Sequence, residues 1–246
     1  MIEQLADAIG AARRTTVLTG AGMSTESGLP DYRGTSGLWR NRRFEELASL
    51  ALWRLEPAAF WAFYAERLAG LRGATPNAGH RALAALEHAG HVGYVVTQNV
   101  DGLHRAAGTS ALFEAHGTLA EVECLVCGLR AGAELAERQL VSGSNVPQCP
   151  DCAAVLKPAV VLFGENLPAG YEDAALEALD CDLFVCLGSS LAVHPVAMLP
   201  EYAIRAGATL AIVNVGETEL DDRAGIRIEG RTGDVLPELA RALGVG

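Results

Sequence analysis

The chain has 246 residues, 50% of them hydrophobic and 20% charged, a globular composition with enough apolar material for a core. That length suits one large domain, or a main domain with a smaller one attached. A formal net charge of −11 argues against a nucleic-acid partner, which needs a basic surface, and no apolar run reaches the roughly 18 residues of a membrane span.

Taken in chain order, residues 2–12 show helical apolar spacing, and the N-terminal stretch MIEQLADAIGAARR, acidic before it is basic and without an apolar core, does not read as a signal peptide. Thr15–Leu18 is a short buried strand that enters the turn Gly20-Ala21-Gly22. An irregular stretch carries Pro30 and Gly34. Residues 44–72 are rich in Leu, Ala, Trp and Phe at helical spacing, interrupted by Pro57. A helix over residues 77–89 stops at Gly90, and the strand HVGYVVTQN follows. Residues 118–156 form an island with four cysteines, two prolines and short strand-like pieces. Strands are expected at 159–163, 183–187 and 209–213, separated by helices at 171–179 and 195–206. The piece GIRIEG precedes a terminal helix, VLPELARAL. Apolar strands alternating with helices predict an α/β fold, a parallel sheet covered on both faces.

The strongest chemical signal is the pair of knuckles Cys124-Leu-Val-Cys127 and Cys149-Pro-Asp-Cys152, separated by 21 residues. Each knuckle can present two thiolates to one tetrahedral ion, so the expectation is one closed, structural Zn2+ site. Cys181 and Cys186 have no matching second pair and read as small buried hydrophobes. This use of six cysteines fits a reducing, cytoplasmic setting.

A glycine turn directly after a strand lets the backbone approach a pyrophosphate. Here the ordinary dinucleotide fingerprint does not continue: Met23-Ser24-Thr25 follows, and no acidic residue closes a second strand near position 40. A plain dehydrogenase is therefore disfavoured, while a nucleotide ligand is expected. Polar groups also sit at other strand ends, where open α/β sheets bind ligands: Gln98-Asn99-Val100-Asp101, Gly188-Ser189-Ser190 and Asn214.

The segments GAGMSTESGLPDYRG, TQNVDGLH, EAHG around His116, the two knuckles, VVLFGEN, GSSLAVHP and VNVGET occur in the order found in the sirtuins, NAD-dependent protein lysine deacylases, and the whole chain resembles that family. The segment from Asn145 through VVLFGENLP, with DLFVCLGSSLAVHPVAMLP, is similar to bacterial deacetylases. The resemblance implies an inverted Rossmann-type domain, at about 1–35, 76–118 and 158–246. A small domain would come from two insertions, one helical at about 36–75 and one zinc-binding at about 119–157. It implies that NAD is consumed as a co-substrate: the acyl oxygen attacks the nicotinamide ribose, nicotinamide leaves, and a base lets a ribose hydroxyl take the acyl group. The products are free lysine and O-acyl-ADP-ribose.

By this match His116 is the base, a role suited to an imidazole near neutral pH. Asn99 and Asp101 hold the nicotinamide end, with Gln98 and Val100 beside them. Gly20 and Gly22 let the chain approach NAD, and Ala21, Thr25, Tyr32 and Arg33 match the cofactor loop, whose Thr25–Arg33 segment reads as a mobile lid in which Tyr32 shields the reactive face and Arg33 contacts phosphate. Gly188, Ser189, Ser190, Asn214, Asp234 and Val235 serve the adenosine side. Val161, Phe163, Gly164 and the segment Leu191 to Val193 clamp an acyl-lysine protein or peptide as an added strand.

Tyr64 and Arg67, at i and i+3, share a helix face. In one sirtuin subgroup such a pair holds the carboxylate of succinyl- or malonyl-lysine through charge-assisted hydrogen bonds. Glu66 departs from the arginine-rich form of that subgroup, so deacetylation is the first expectation and desuccinylation or demalonylation stands beside it. Alternative readings are a mono-ADP-ribosyltransferase or NAD hydrolase, which would share the loop and His116, and a non-catalytic NAD- or peptide-binding module.

Overall fold

The computed structural model describes residues 1–31 and 43–245, with the side chain of Arg43 left aside. In chain order the elements are α1 (Ile2–Ala11), β1 (Thr15–Thr19), α2 (Arg43–Leu47), α3 (Leu50–Leu55), α4 (Pro57–Leu71), α5 (Ala78–His88), β2 (Tyr94–Thr97), α6 (Leu103–Ala106) and β3 (Leu112–Glu114). They continue with β4 (Gly117–Glu123), β5 (Arg130–Gly132), α7 (Glu134–Val141), β6 (Lys157–Val160), α8 (Tyr171–Asp180) and β7 (Leu183–Leu187). The chain then runs through α9 (Leu199–Ala206), β8 (Thr209–Asn214), β9 (Ile226–Glu229) and α10 (Thr232–Ala242).

Six strands form one parallel sheet in the order β3-β2-β1-β7-β8-β9. The chain first runs outward from β1 to β3, then returns to the middle at β7 and runs outward the other way. This is the Rossmann-type order, and its switch point lies between β1 and β7, where the crevice at the carboxyl ends of the strands opens.

Alternate residues of each strand feed opposite faces. Val17, Val95, Val185 and Val213 pack under Leu5, Leu83, Leu86, Leu236 and Leu239 of α1, α5 and α10. Leu18, Val96, Phe184, Cys186 and Ile212 pack under Ala174, Ala178, Leu199 and Ala203 of α8 and α9. Both faces being covered explains why the strands read as continuous apolar runs instead of alternating ones. Cys181 and Cys186 are buried in this second layer, as the sequence suggested.

A third cluster joins the helical and cysteine-bearing segments. Phe60, Trp61, Tyr64 and Leu68 of α4 pack on Leu119 and Val122 of β4 and on Leu156. The indole N–H groups of Trp53 and Trp61 both donate to the Leu156 carbonyl, at 3.1 and 3.0 Å. Pro57, read as an interruption, opens α4 at its first turn, where its missing N–H costs nothing.

One strand sits elsewhere than expected. The apolar run 159–163 predicts a further parallel strand, whereas β6 covers Lys157–Val160 and pairs antiparallel with β4 in a separate three-stranded sheet, β5-β4-β6. All four residues of β6 are buried there, as those of β1 and β7 are in the parallel sheet, so apolarity alone does not distinguish the two placements.

Candidate functional site

The carboxyl ends of β1, β2, β7 and β8 open into a cleft of about 1090 Å³. Ala21, Gly22 and Thr25 line it from the first strand, Gln98, Asn99 and Val100 from the second, Gly188, Ser189 and Ser190 after β7, and Asn214 after β8. His116, Val161, Phe163, Gly164 and Val193 line the same space, as do Tyr64 and Arg67 of α4. Tyr32 and Arg33 fall outside the described residues.

The glycine turn owes its composition partly to packing. A Cβ on Gly22 would lie 2.7 Å from Gly188 Cα, and one on Gly20 2.8 Å from the Gly188 carbonyl. The amides of Gly20 and Gly22 donate to the carbonyls of Leu187 and Gly188, at 3.0 and 2.8 Å. The two glycines thus lock the β1 and β7 ends together and make the floor of the cleft, instead of presenting those N–H groups to a ligand. The loop beyond is tied down as well: the Glu26 carboxylate accepts from the Gly233 amide at 2.7 Å, at the start of α10.

Below the floor lies a buried polar network. Asn99, 6% exposed, donates from Nδ2 to the Gly20 carbonyl (3.0 Å) and to Ser24 Oγ (3.1 Å). Ser24 in turn donates to Asp101 Oδ2 at 2.7 Å, and Asp101 Oδ1 accepts from the Leu103 amide at 2.9 Å. Both Nδ2 protons of Asn99 are therefore engaged, which leaves its Oδ1 as the group to offer a ligand. His80 and His104 are buried with ring centroids 4.8 Å apart. Thr19 Oγ1 donates to Thr97 at 2.8 Å, so the His104 Nε2 at 2.9 Å is the donor to Thr19. Desolvation pushes both imidazoles down, His80 to about 4 and His104 to about 3, so both are neutral near pH 7.

His116 sits at the cleft wall between β3 and β4, with Nδ1 at 3.0 Å from the Gln98 carbonyl oxygen. A carbonyl can only accept, so Nδ1 carries the proton and Nε2 keeps its lone pair. Burial lowers the imidazole pKa, partly offset by that hydrogen bond. Gly117, directly after it, has φ 75°, and a Cβ there would meet the Ala159 carbonyl at 2.1 Å. A glycine is required for the chain to turn beside β6 and hold His116 in place. Gln98 is fixed by Ser189, whose Oγ donates to Gln98 Oε1 at 2.9 Å.

Some expected residues meet the cleft only through their backbone or lie behind it. Leu191 and Val235 bury their side chains in the two apolar layers, and Asp234 is exposed on α10. The amides of Val161 and Phe163 donate to the carbonyls of His116 and Ala48, at 2.8 and 3.0 Å, so an added strand cannot use those two donors. Sequence reading missed Arg227 on β9, whose guanidinium donates to the carbonyls of Asn214 (3.1 Å) and Gly216 (2.6 Å) and so fixes the turn after β8. An arginine in a terminal strand carried no signal of that reach.

The metal-binding expectation can be tested on geometry. The four sulfurs of Cys124, Cys127, Cys149 and Cys152 lie within 4.8 Å of one another, with Cys124–Cys152 and Cys127–Cys149 each at 3.5 Å. Tetrahedral zinc–sulfur bonds of ~2.3 Å need sulfur edges near 3.8 Å, so the four thiolates fit one zinc with small adjustments. Ala153, just after the second knuckle, is held at φ 59°.

A Rossmann-type sheet with a cleft at its switch point, an imidazole on the wall and an attached four-thiolate cluster defines an α/β protein whose cleft suits a nucleotide and whose cysteines suit a metal. The Sir2 family model matches residues 20–195, and the chain belongs to the Sir2 family. It is 43% identical over 227 residues to an NAD-dependent protein deacetylase of Caldivirga maquilingensis, covering 92% of this chain and 87% of that one. It is 41% identical over 241 residues to NAD-dependent protein deacylase 2 of Archaeoglobus fulgidus, covering 97% and 94%. Among solved structures, Sir2 with p53 peptide and NAD+ matches with a TM-score of 0.92 at 34% identity, covering 100% of both chains. Sir2Tm bound to a propionylated peptide matches with a TM-score of 0.90 at 33% identity, covering 100% and 99%.

Proposed function

We propose that the protein is an NAD-dependent protein lysine deacylase that takes acyl-lysine peptides and consumes NAD as co-substrate. The observation that carries the reading is His116: a neutral imidazole with its free Nε2 in the same cleft as the polar ends of four parallel strands. NAD would supply the electrophilic ribose carbon and the hydroxyl that receives the acyl group, and one water would complete the release of free lysine. The chain's part is to orient both substrates and move a proton. Nε2 of His116 takes the hydroxyl proton, while the Gln98 carbonyl steadies Nδ1–H as charge develops on the ring. Asn99 Oδ1, fixed by its engaged Nδ2, orients the nicotinamide end, with Asp101 behind it through Ser24. Gln98, Ser189, Ser190 and Asn214 serve the nucleotide, and Val161 through Gly164 with Leu191 to Val193 form the peptide groove. The boundaries near 35, 75, 118 and 157 divide a nucleotide domain from an inserted small domain, a division supported by the two separate sheets. One zinc on the four cysteines holds the small domain together. Thiols gathered for a metal suit a reducing cytoplasm.

Deacetylation is the primary activity. Removal of acidic acyl groups is a second one, favoured by the position of Tyr64 and Arg67 in the wall of the cleft that also holds His116. Mass spectrometry after incubation with NAD and acetyl-lysine peptide tests the reading: free lysine and O-acetyl-ADP-ribose are expected. ADP-ribose attached to protein without any acyl substrate would favour the transferase alternative.

A further inference from the structure

Lys157 is the only lysine in the sequence, against 18 arginines, and its side chain is 2% exposed. Its Nζ lies 3.0 Å from Glu123 Oε1 and 3.1 Å from Glu165 Oε2, and it donates to the carbonyls of Val160 (2.7 Å) and Pro158 (3.2 Å). Glu165 Oε2 also accepts from the Leu162 amide at 2.8 Å. One ammonium therefore fixes a carbonyl at 160 and, through Glu165, an amide at 162. The opposite edge of the same segment is fixed by Val161 N to the His116 carbonyl and Phe163 N to the Ala48 carbonyl.

An ammonium this deep is costly unless fully paired, and removing one of its partners leaves it less compensated. A compact ammonium suits four acceptors converging on one point, which a planar guanidinium does not. Glu123 immediately precedes the metal-ligand candidate Cys124, so the same triad ties the cysteine module to the cleft wall.

We propose that Lys157 is a positioning residue for the acyl-peptide groove: the Glu123–Lys157–Glu165 triad sets the path of residues 160–165 and, through Val161, their alignment with His116. The inference rests on the deacylase reading for the identity of the groove's occupant, and on the hydrogen bonds of Lys157 and Glu165 for its geometry.

Two variants of the full chain test it, Lys157→Met and Glu165→Gln, each beside wild type. Expected are a rise of about tenfold in KM for acetyl-lysine peptide, kcat and the KM for NAD within about twofold, retained zinc, and faster amide exchange at Leu162 without substrates. The single lysine offers a direct probe: lysine labelled with 15N at Nζ gives one side-chain signal in wild type, which shifts on adding acyl-peptide and not on adding NAD alone. An unchanged peptide KM in either variant overturns the proposal. So does a parallel rise of both KM values with zinc loss, which marks a purely structural role. If Lys157→Met does not fold, Glu165→Gln, which keeps shape and acceptor, decides on the same criteria. If wild type shows no acyl-dependent turnover, the deacylase reading fails, and Leu162 exchange still decides whether the triad holds the segment.

Discussion

The Nδ1–H of His116 donates to the carbonyl oxygen of Gln98 across 3.0 Å, and this one contact fixes both the tautomer and the direction of the ring. Because Gln98 is itself held by Ser189, the imidazole is registered against two strand ends at once. His116→Ala should lower kcat by roughly 10²–10⁴-fold, with NAD binding by calorimetry retained. Burial holds the imidazole below its ordinary value, so the neutral form that the proposed base role requires persists to lower pH than for a free histidine. The acid limb of the kcat/KM profile should fall below about pH 6.5; a limb above that value would contradict the assignment.

His80 and His104 make stability depend on acid. Folded, they titrate near 4 and 3, while in the unfolded chain both approach 6.5. Between those values the unfolded state binds more protons, so stability falls as pH drops, by up to about 1.4 kcal/mol per pH unit for each histidine. Urea midpoints should be level above pH 7 and decline steadily from pH 6.5 to pH 4. His104→Gln should flatten that slope.

Metal analysis should return about one zinc per chain. Chelation should unpack the β5-β4-β6 sheet, since a structural ion contributes folding free energy. Ala153 is the complementary test. Held at φ 59°, it bears the left-handed penalty of an L-residue, and Ala153→Gly should raise stability by roughly 1 kcal/mol with zinc content unchanged.

These residues differ in how visible they were beforehand. The four-cysteine cluster was legible because its chemistry is written in local spacing, and the presence of His116 in the cleft because of its motif. The parallel sheet was legible because β1 and β7 bury every residue. Other features depend on distant partners. The LFE strand β3 has only three residues and no period to detect. The run after Lys157 looked like another parallel strand because antiparallel pairing with β4 gives the same apolarity. Gly20 and Gly22 were read as facing a ligand, whereas Gly188, more than 160 residues away, supplies much of the steric reason for them.

The guanidinium of Arg67 lies over the rings of Phe44 and Phe63, 5.4 and 5.7 Å from their centroids, in the wall of the cleft. If it receives an acyl carboxylate, Arg67→Met should leave deacetylation within a few-fold and lower kcat/KM for succinyl-lysine peptide by about 10²-fold, the scale of a lost charge-assisted pair. Equal loss with both peptides would assign Arg67 to packing alone.

Nicotinamide release is the most direct measure of the central claim. With NAD and acetyl-lysine peptide together, one nicotinamide should appear for each lysine freed, and release should fall to background when the peptide is omitted or carries unmodified lysine. Release at the same rate without acyl-peptide, or none with it, would contradict the deacylase account.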